Sequence, residues 1–121
     1  MTEHHHTGKK GEQEAIRFLR GNGYDILHTN WTYLHLEIDI VAKKGEELVI
    51  AEVKTRSTDA FGEPETFVSK KKQRNLIKAA NYYLEMHHLN AEVRFDVIGI
   101  VKKGAETVIH HIPGAFHPLE V

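Results

Sequence analysis

The stretch LEIDIVAKKGEELVIAEVKTR, residues 36 to 56, decides the fold because it contains two strands and the turn between them. Apolar residues alternate with other residues on both sides of Lys43-Lys44-Gly45-Glu46, which has the composition of a tight hairpin turn. We therefore predict antiparallel strands over 34–42 and 47–55. Within the first strand, Leu34, Leu36, Ile38 and Ile40 are expected to share one face, and His35, Glu37, Asp39 and Val41 the other. Within the second strand, Leu48, Ile50, Glu52 and Lys54 are expected to share one face, and Val49, Ala51, Val53 and Thr55 the other.

The flanking segments predict two helices and three further strands. A helix is expected over 11–20, where apolar residues recur at helical spacing before Gly21 and Gly23. A short extended piece over 24–28 and a turn at Asn30 precede the hairpin. Ser69 is a natural N-cap for a helix that runs to about His88. Strands follow over 93–101 and 106–112.

The predicted order is α-β-β-β-α-β-β, an α/β domain with a mixed central sheet. A crossover helix after a meander places the fourth strand parallel to the third. The order of the strands within the sheet does not follow from the sequence. We expect a single domain over 1–121, with residues 1–8 and 113–121 as flexible tails.

Composition narrows the class of protein. The chain of 121 residues is 40% hydrophobic, which suits one core, and it contains no cysteine that could serve as a metal ligand or nucleophile. It has no run of about 20 apolar residues and no apolar signal-peptide core, so we expect a cytoplasmic protein without membrane contact. The net charge of −1 argues against nucleic-acid binding by bulk positive charge alone.

Three charged side chains are expected to converge on the hairpin. Glu52 and Lys54 lie two residues apart on one strand and therefore on one face, and Asp39 belongs to the strand that folds back beside them. Burying such a group of charges requires pairing, a metal ion or solvent. Glu12 lies on or beside the apolar stripe of the first helix, where a carboxylate also needs a partner.

This set of residues suits the cutting of phosphodiester bonds. Two carboxylates, Asp39 and Glu52, can hold Mg²⁺ or Mn²⁺, which supplies positive charge and activates a water. Lys54 is expected to orient or deprotonate that water, or to neutralise the phosphate. Glu12 is expected to complete the metal shell through a water.

The strings GEQEAIRFL, LEIDIVAKKGEELVIAEVKTR, FGEP and RFDVIGI resemble the YraN-like family of uncharacterised small bacterial proteins. That family in turn resembles archaeal Holliday junction resolvases and the restriction-endonuclease-like superfamily. The resemblance runs from about Gly8 to Ile100. It implies a mixed sheet flanked by helices and a D…E-x-K nuclease site formed by Asp39, Glu52 and Lys54, with Glu12 from the first helix. It also implies that the Val53 carbonyl joins the metal shell.

We therefore expect a Mg²⁺-dependent or Mn²⁺-dependent endonuclease that acts on DNA, including branched or junction DNA in repair or recombination. The sequence does not distinguish DNA from RNA, branched from linear substrates, or a monomer from a dimer. A homodimer is one option that the resemblance implies, because resolvase-like proteins often dimerise to present two sites to two strands. The basic residues expected to contact the nucleic-acid backbone are Arg56, Lys71, Lys72, Lys43 and Lys44.

Two alternatives remain open at this stage. The first is a catalytically silent nucleic-acid-binding adaptor with a nuclease-like fold. The second is a protein-interaction domain in which the acids form a structural network with Lys54 and Arg56. Glu37 is a weaker candidate ligand, and we interpret Arg94 and Asp96 as a structural ion pair. The spacing of the histidines is not that of a dedicated zinc site.

Overall fold

The chain folds in the predicted α/β order. A computed structural model describes residues 2–57 and 66–120, and the side chains within 10–57 and 66–119. The FGEP motif and most of the loop predicted over 56–66 lie outside the described residues. The elements are α1 (Thr2–Gly21), β1 (Asp25–Tyr33), β2 (Leu36–Lys44), β3 (Glu47–Ser57), α2 (Lys70–Met86), β4 (Glu92–Lys103), β5 (Glu106–Phe116) and a 3-10 turn (Pro118–Glu120).

The five strands form one mixed sheet in the order β1-β2-β3-β4-β5. Neighbouring strands are antiparallel except β3 and β4, which run parallel and are joined by the crossover helix α2. This confirms the predicted meander and crossover. Ser69 caps α2 as predicted, because its hydroxyl accepts a hydrogen bond from the Lys72 backbone N–H at 3.2 Å.

One helix covers each face of the sheet, so the core has two halves. The α2 half includes Leu76, Ala80 and Tyr83. The α1 half includes Ala15 and Leu19. Within the described residues, no helix is long and apolar enough to cross a membrane.

The sheet departs from the predicted strand pattern near its first hairpin. β1 continues through Asn30, whose positive φ of 51° was predicted as a turn but lies inside the strand. Leu34 is 72% exposed between β1 and β2 rather than in a strand. Ile38 packs on the α2 side whereas Ile40 packs on the α1 side, so the prediction that they share a face is wrong.

The ends of the chain also differ from expectation. α1 begins at Thr2 and not near Gly11, and β5 extends to Phe116. Regular structure therefore reaches into both segments expected to be tails. Pro113 is accommodated in β5 because β5 is an edge strand, where a missing backbone N–H is tolerated.

Gly11 brings α1 into close contact with β3. A Cβ at this position would lie 2.0 Å from the Thr55 hydroxyl oxygen and 3.3 Å from its Cβ, so only glycine allows the observed separation. The next residue is Glu12. The close approach of α1 to the Thr55 side chain on β3 therefore places the Glu12 side chain near the sheet.

We predict that Gly11→Ala destabilises the protein by about 1–3 kcal/mol, because the added methyl group forces α1 away from β3. Urea unfolding measures the change. Gly21→Ala is the matched control in the same helix, because nothing lies within 4 Å of its added Cβ. Combining Gly11→Ala with Thr55→Ala should recover most of the loss. A Gly11→Ala variant as stable as the wild type would contradict this account of the contact.

Asp96 forms a buried ionic network on the α1 side of the sheet and is only 1% exposed. Arg94 donates to both of its carboxylate oxygens at 2.9 Å, which confirms the predicted ion pair. His111 Nε2 lies 2.7 Å from the carboxylate and the Gly114 N–H donates at 3.1 Å. Burial by itself raises the pKa of Asp96, but these hydrogen bonds outweigh it and hold the pKa below its ordinary value.

We predict that Asp96→Ala costs about 3–5 kcal/mol of unfolding free energy, because it leaves the Arg94 guanidinium partly buried without its carboxylate. Since the folded pKa is depressed, this stabilisation is present above the ordinary pKa of 3.8 and is lost as the pH falls below it. Glu92→Ala, at an exposed position of the same strand, should change stability by less than about 0.5 kcal/mol. A loss below about 1 kcal/mol in Asp96→Ala would show that the network does not support the fold.

Candidate functional site

Asp39 lies where β2 and β3 separate. The antiparallel ladder between these strands ends at the pair Ile40 and Ala51. One residue further, the Asp39 carboxylate accepts a hydrogen bond from the Val53 backbone N–H at 2.8 Å. The Asp39 side chain thus provides the hydrogen-bond acceptor that the Val53 N–H would otherwise lack beyond the end of the ladder. This contact holds a carboxylate in the gap between two core strands.

Glu52 lies beside Asp39, as the predicted register requires. Its side chain is only 12% exposed, and the Lys72 ammonium group lies 3.5 Å from its carboxylate. Burial, followed by the charge of Asp39, raises the pKa of Glu52 to about 7, although Lys72 opposes the shift. Burial also raises the pKa of Asp39, despite the hydrogen bond from Val53. The two partly buried carboxylates therefore favour a shared proton or a cation between them.

Glu12 approaches the same aspartate from α1. The Asn30 side-chain amide donates a hydrogen bond to its carboxylate at 2.7 Å. Burial and then the charge of Asp39 raise the pKa of Glu12, so the two acids lie within electrostatic reach of each other. Glu37 is exposed and adds repulsion to both Glu12 and Asp39. Asp39 is the centre of the acidic group.

Cationic and aromatic groups lie on the α2 side of the carboxylates. The Lys54 ammonium group donates to the Phe67 carbonyl oxygen at 2.5 Å and lies 5.6 Å from the centre of the Phe67 ring. Arg56 follows Lys54 on the same face of β3, and both line a pocket with Glu52 and Lys72. The structure therefore brings Lys54, Arg56 and Lys72 together beside Glu52.

The remaining predicted basic residues lie elsewhere. Lys71 is exposed in the first turn of α2 and does not line this pocket. Lys43 and Lys44 lie at the β2–β3 turn, roughly 13 Å or more along the strand from Asp39. Lys44 donates to the Asn22 carbonyl oxygen at 2.7 Å and lies over the Tyr24 ring. The structure thus separates Lys43 and Lys44 from the acidic group.

The donor atoms suit a hard divalent cation, because they are carboxylate oxygens. Burial raises the pKa values of all three acids, and the charge of Asp39 adds to the shift at Glu12 and Glu52. In the part of the chain that the structure describes, no three acid or imidazole groups converge closely enough to surround one ion. Two of the three acids instead contact other polar groups. Asn30 holds Glu12 on one side of Asp39, and Lys72 places its ammonium group against Glu52 on the other.

Three contributors to the site were missed or left undecided at the level of sequence. Asn30 was interpreted as a turn residue, and only the fold shows that its amide faces Glu12. Phe67 follows a segment without periodicity, so no pattern pointed to it. The helical lysines were not ranked, and the structure places Lys72 in the site and Lys71 outside it. Helical spacing supplies the signal for Lys72, which lies four residues before the buried Leu76 and therefore on the face of α2 that packs against the sheet.

We predict that the metal-free protein loses on the order of 2–3 kcal/mol of stability from Glu52 as the pH rises from about 4.5 to about 7. The folded carboxyl group binds its proton more tightly than the unfolded one, so ionisation costs free energy in the fold. Urea unfolding in a chelating buffer between pH 5 and pH 8 measures the slope. Glu52→Gln should flatten it, whereas Glu46→Gln, at an exposed turn position, should not. An unchanged slope in Glu52→Gln would contradict the assignment.

Comparisons with known proteins place this site within one family. The family model described as "Uncharacterised protein family UPF0102" matches residues 11–100, which include all four acidic and basic residues of the predicted nuclease site. A UPF0102 protein of Christiangramia forsetii is 51% identical over 96% of this chain and 98% of its own length. UPF0102 protein FP2501 of Flavobacterium psychrophilum is 47% identical over 97% and 98%. A UPF0102 protein of Parabacteroides distasonis is 42% identical over 97% of each chain. The chain belongs to the uncharacterised protein family UPF0102.

Proposed function

We propose that this protein hydrolyses phosphodiester bonds of DNA with the help of a divalent metal ion. The observation that carries the proposal is the pair of partly buried carboxylates, Asp39 and Glu52, held in the gap between β2 and β3 with raised pKa values. Acids that are close together and partly shielded from solvent bind a cation more readily than exposed acids do. Glu12 and three basic side chains flank the same pair.

Mg²⁺ or Mn²⁺ is the ion that this set of ligands favours, because all of the donors are oxygen atoms. Asp39, Glu52 and the Val53 carbonyl would hold the ion, with Glu12 assisting through a water. When bound, the ion supplies positive charge to the phosphate and lowers the pKa of a water nucleophile. Binding requires the Lys72 ammonium group to withdraw from Glu52 and Glu12 to turn away from Asn30.

The basic side chains then have distinct tasks. Lys54 emerges next to Glu52 on the same strand face and is suited to orienting the water or neutralising the phosphate. Lys72, released from Glu52, and Arg56 lie in the same pocket and are suited to gripping the phosphate oxygens. Lys71 extends the positive charge over the first turn of α2, where the helix dipole also favours anions.

The pattern D…E-x-K and the mixed sheet between two helices support a relationship to the restriction-endonuclease-like superfamily and its junction-cutting resolvases. That relationship favours DNA as the substrate, in repair or recombination in the cytoplasm. It also favours a homodimer that offers two sites to two strands. The net charge of −1 is consistent with binding through a local basic pocket and not through the whole surface.

One observation favours a second candidate, a nucleic-acid-binding adaptor without turnover. The ion pair between Lys72 and Glu52 partly neutralises the partly buried acid without any metal, so the fold does not require an ion at this position. In that case DNA would bind with or without Mg²⁺ and would not be cut. A functioning site gains about 2.7 kcal/mol of stability when the metal concentration is 100 times the dissociation constant.

We predict metal-dependent cutting when labelled duplex, forked, four-way and single-stranded DNAs are incubated with Mg²⁺ or Mn²⁺. Asp39→Asn and Glu52→Gln should each lower the cutting rate by at least about a hundredfold, since each removes an ion ligand whose effect is several kcal/mol. Gel electrophoresis of the products measures the rates.

Glu46→Gln is the matched control, because it removes a carboxylate at an exposed turn position. Thermal unfolding with and without Mg²⁺ accompanies the assay. Equal background cutting by the wild type and Glu52→Gln at high protein concentration would contradict hydrolysis. If DNA binds with or without Mg²⁺ and is not cut, the adaptor is the correct function.

A further inference from the structure

A pocket of about 270 Å³ opens beside Glu52, on the α2 side of the sheet. This size lies near the lower end of the range for small-molecule sites, roughly 300–1,000 Å³, so it suits one nucleotide and not a length of duplex. The residues that line it are Glu52, Lys54, Arg56, Phe67, Val68, Ser69 and Lys72.

The pocket is built for a negatively charged ligand. Three of its lining residues are cationic, and its single acid, Glu52, already faces Lys72 at 3.5 Å. Side chains alternate along β3, so Glu52, Lys54 and Arg56 lie on one face. Lys54 and Arg56 are therefore the two cations that follow the Glu52 carboxylate along the strand. The N-terminus of α2, capped by Ser69, adds the positive end of a helix dipole.

Phe67 supplies a flat apolar surface to this cationic pocket. Its residue is 44% exposed, so core packing does not account for the position of the ring. Lys54 holds it from two sides, through the hydrogen bond to the backbone carbonyl and through contact with the ring. The ring is thus anchored beside the three cations while much of it remains open to solvent.

A phosphate group beside an exposed aromatic ring is the arrangement that recognises a nucleotide. Bases stack on aromatic side chains without sequence preference, because every base has a π face. Within a duplex, however, both faces of a base are covered by its neighbours. A base can reach Phe67 only after leaving the stack, which costs least when it is already unpaired.

We propose that this pocket binds an unpaired nucleotide next to the bond that is cut, with its phosphate on Lys54, Arg56 and Lys72 and its base on the Phe67 ring. This inference rests on the proposed hydrolysis of DNA and names its substrate class. The protein selects DNA with a single-stranded segment adjoining a duplex over a continuous duplex. Phe67 is the residue that makes the selection.

The test compares a forked duplex with a blunt duplex of the same length. Fluorescence anisotropy measures both affinities with the full chain in Ca²⁺, whose larger and more flexible coordination shell holds DNA without the geometry of Mg²⁺. Phe67→Leu keeps an apolar side chain but removes the π face, and Phe67→Trp enlarges the π face. Urea unfolding confirms that both variants are folded.

The wild type should bind the forked DNA at least about fivefold more tightly than the blunt DNA. Phe67→Leu should remove this preference by weakening the forked complex alone, and Phe67→Trp should retain it. Equal binding of both DNAs by the wild type, no binding of either, or an unchanged preference in Phe67→Leu would overturn the proposal.

Cutting in Mg²⁺ is measured separately, so that the two proposals fail in different ways. If the cutting rate is the same for forked and blunt DNA and is unchanged in Phe67→Leu, the proposal of a nucleotide pocket is wrong and the proposal of hydrolysis stands. If forked DNA binds more tightly in a way that depends on Phe67 but no DNA is cut, the proposal of hydrolysis is wrong and the proposal of a nucleotide pocket stands.

Discussion

The hydrogen bond from the Val53 backbone N–H to the Asp39 carboxylate is the contact on which the site depends. It forms where the β2–β3 ladder ends, so a side chain and not a neighbouring strand satisfies the backbone of β3. The aspartate is therefore held by the main chain of the strand that also carries Glu52 and Lys54. The contact holds the carboxylate in a partly buried position, and burial raises the pKa of Asp39 despite the hydrogen bond.

A second aspartate shows why the surroundings, and not burial alone, distinguish a site from a structural element. Asp96 also accepts a backbone N–H at an irregular point in the sheet, from Gly114. Its other partners are Arg94 and His111, and its pKa is lowered. Asp39 has Glu12 and Glu52 as neighbours, and its hydrogen bonds do not offset burial, which raises its pKa. The charge of Asp96 is balanced by its cationic partners. The surroundings of Asp39 instead favour the binding of a proton or a cation.

Three features of the site could be predicted from the sequence: the hairpin, the shared face of Glu52 and Lys54, and the position of Asp39 beside Glu52. They follow because side chains alternate along a strand and the composition of the turn indicates which residues of the two strands pair. The same rule failed at Ile38 and Ile40, since it assumes an unbroken strand and β2 changes phase where it leaves β3. Asn30 was misread for a related reason. A residue with positive φ is typical of a turn, but an extended strand can accommodate one.

The sequence by itself determined the element order, the family and the residues that carry charge into the hairpin, because these follow from local periodicity and motif spacing. Only the tertiary structure decided how those charges are arranged. The packing of α1, α2 and β1 against β3 decides which helical lysine contacts Glu52, which side-chain amide donates to Glu12 and which aromatic ring lies next to Lys54. Those contacts join residues far apart in the chain, and no local pattern encodes the distance between two packed elements.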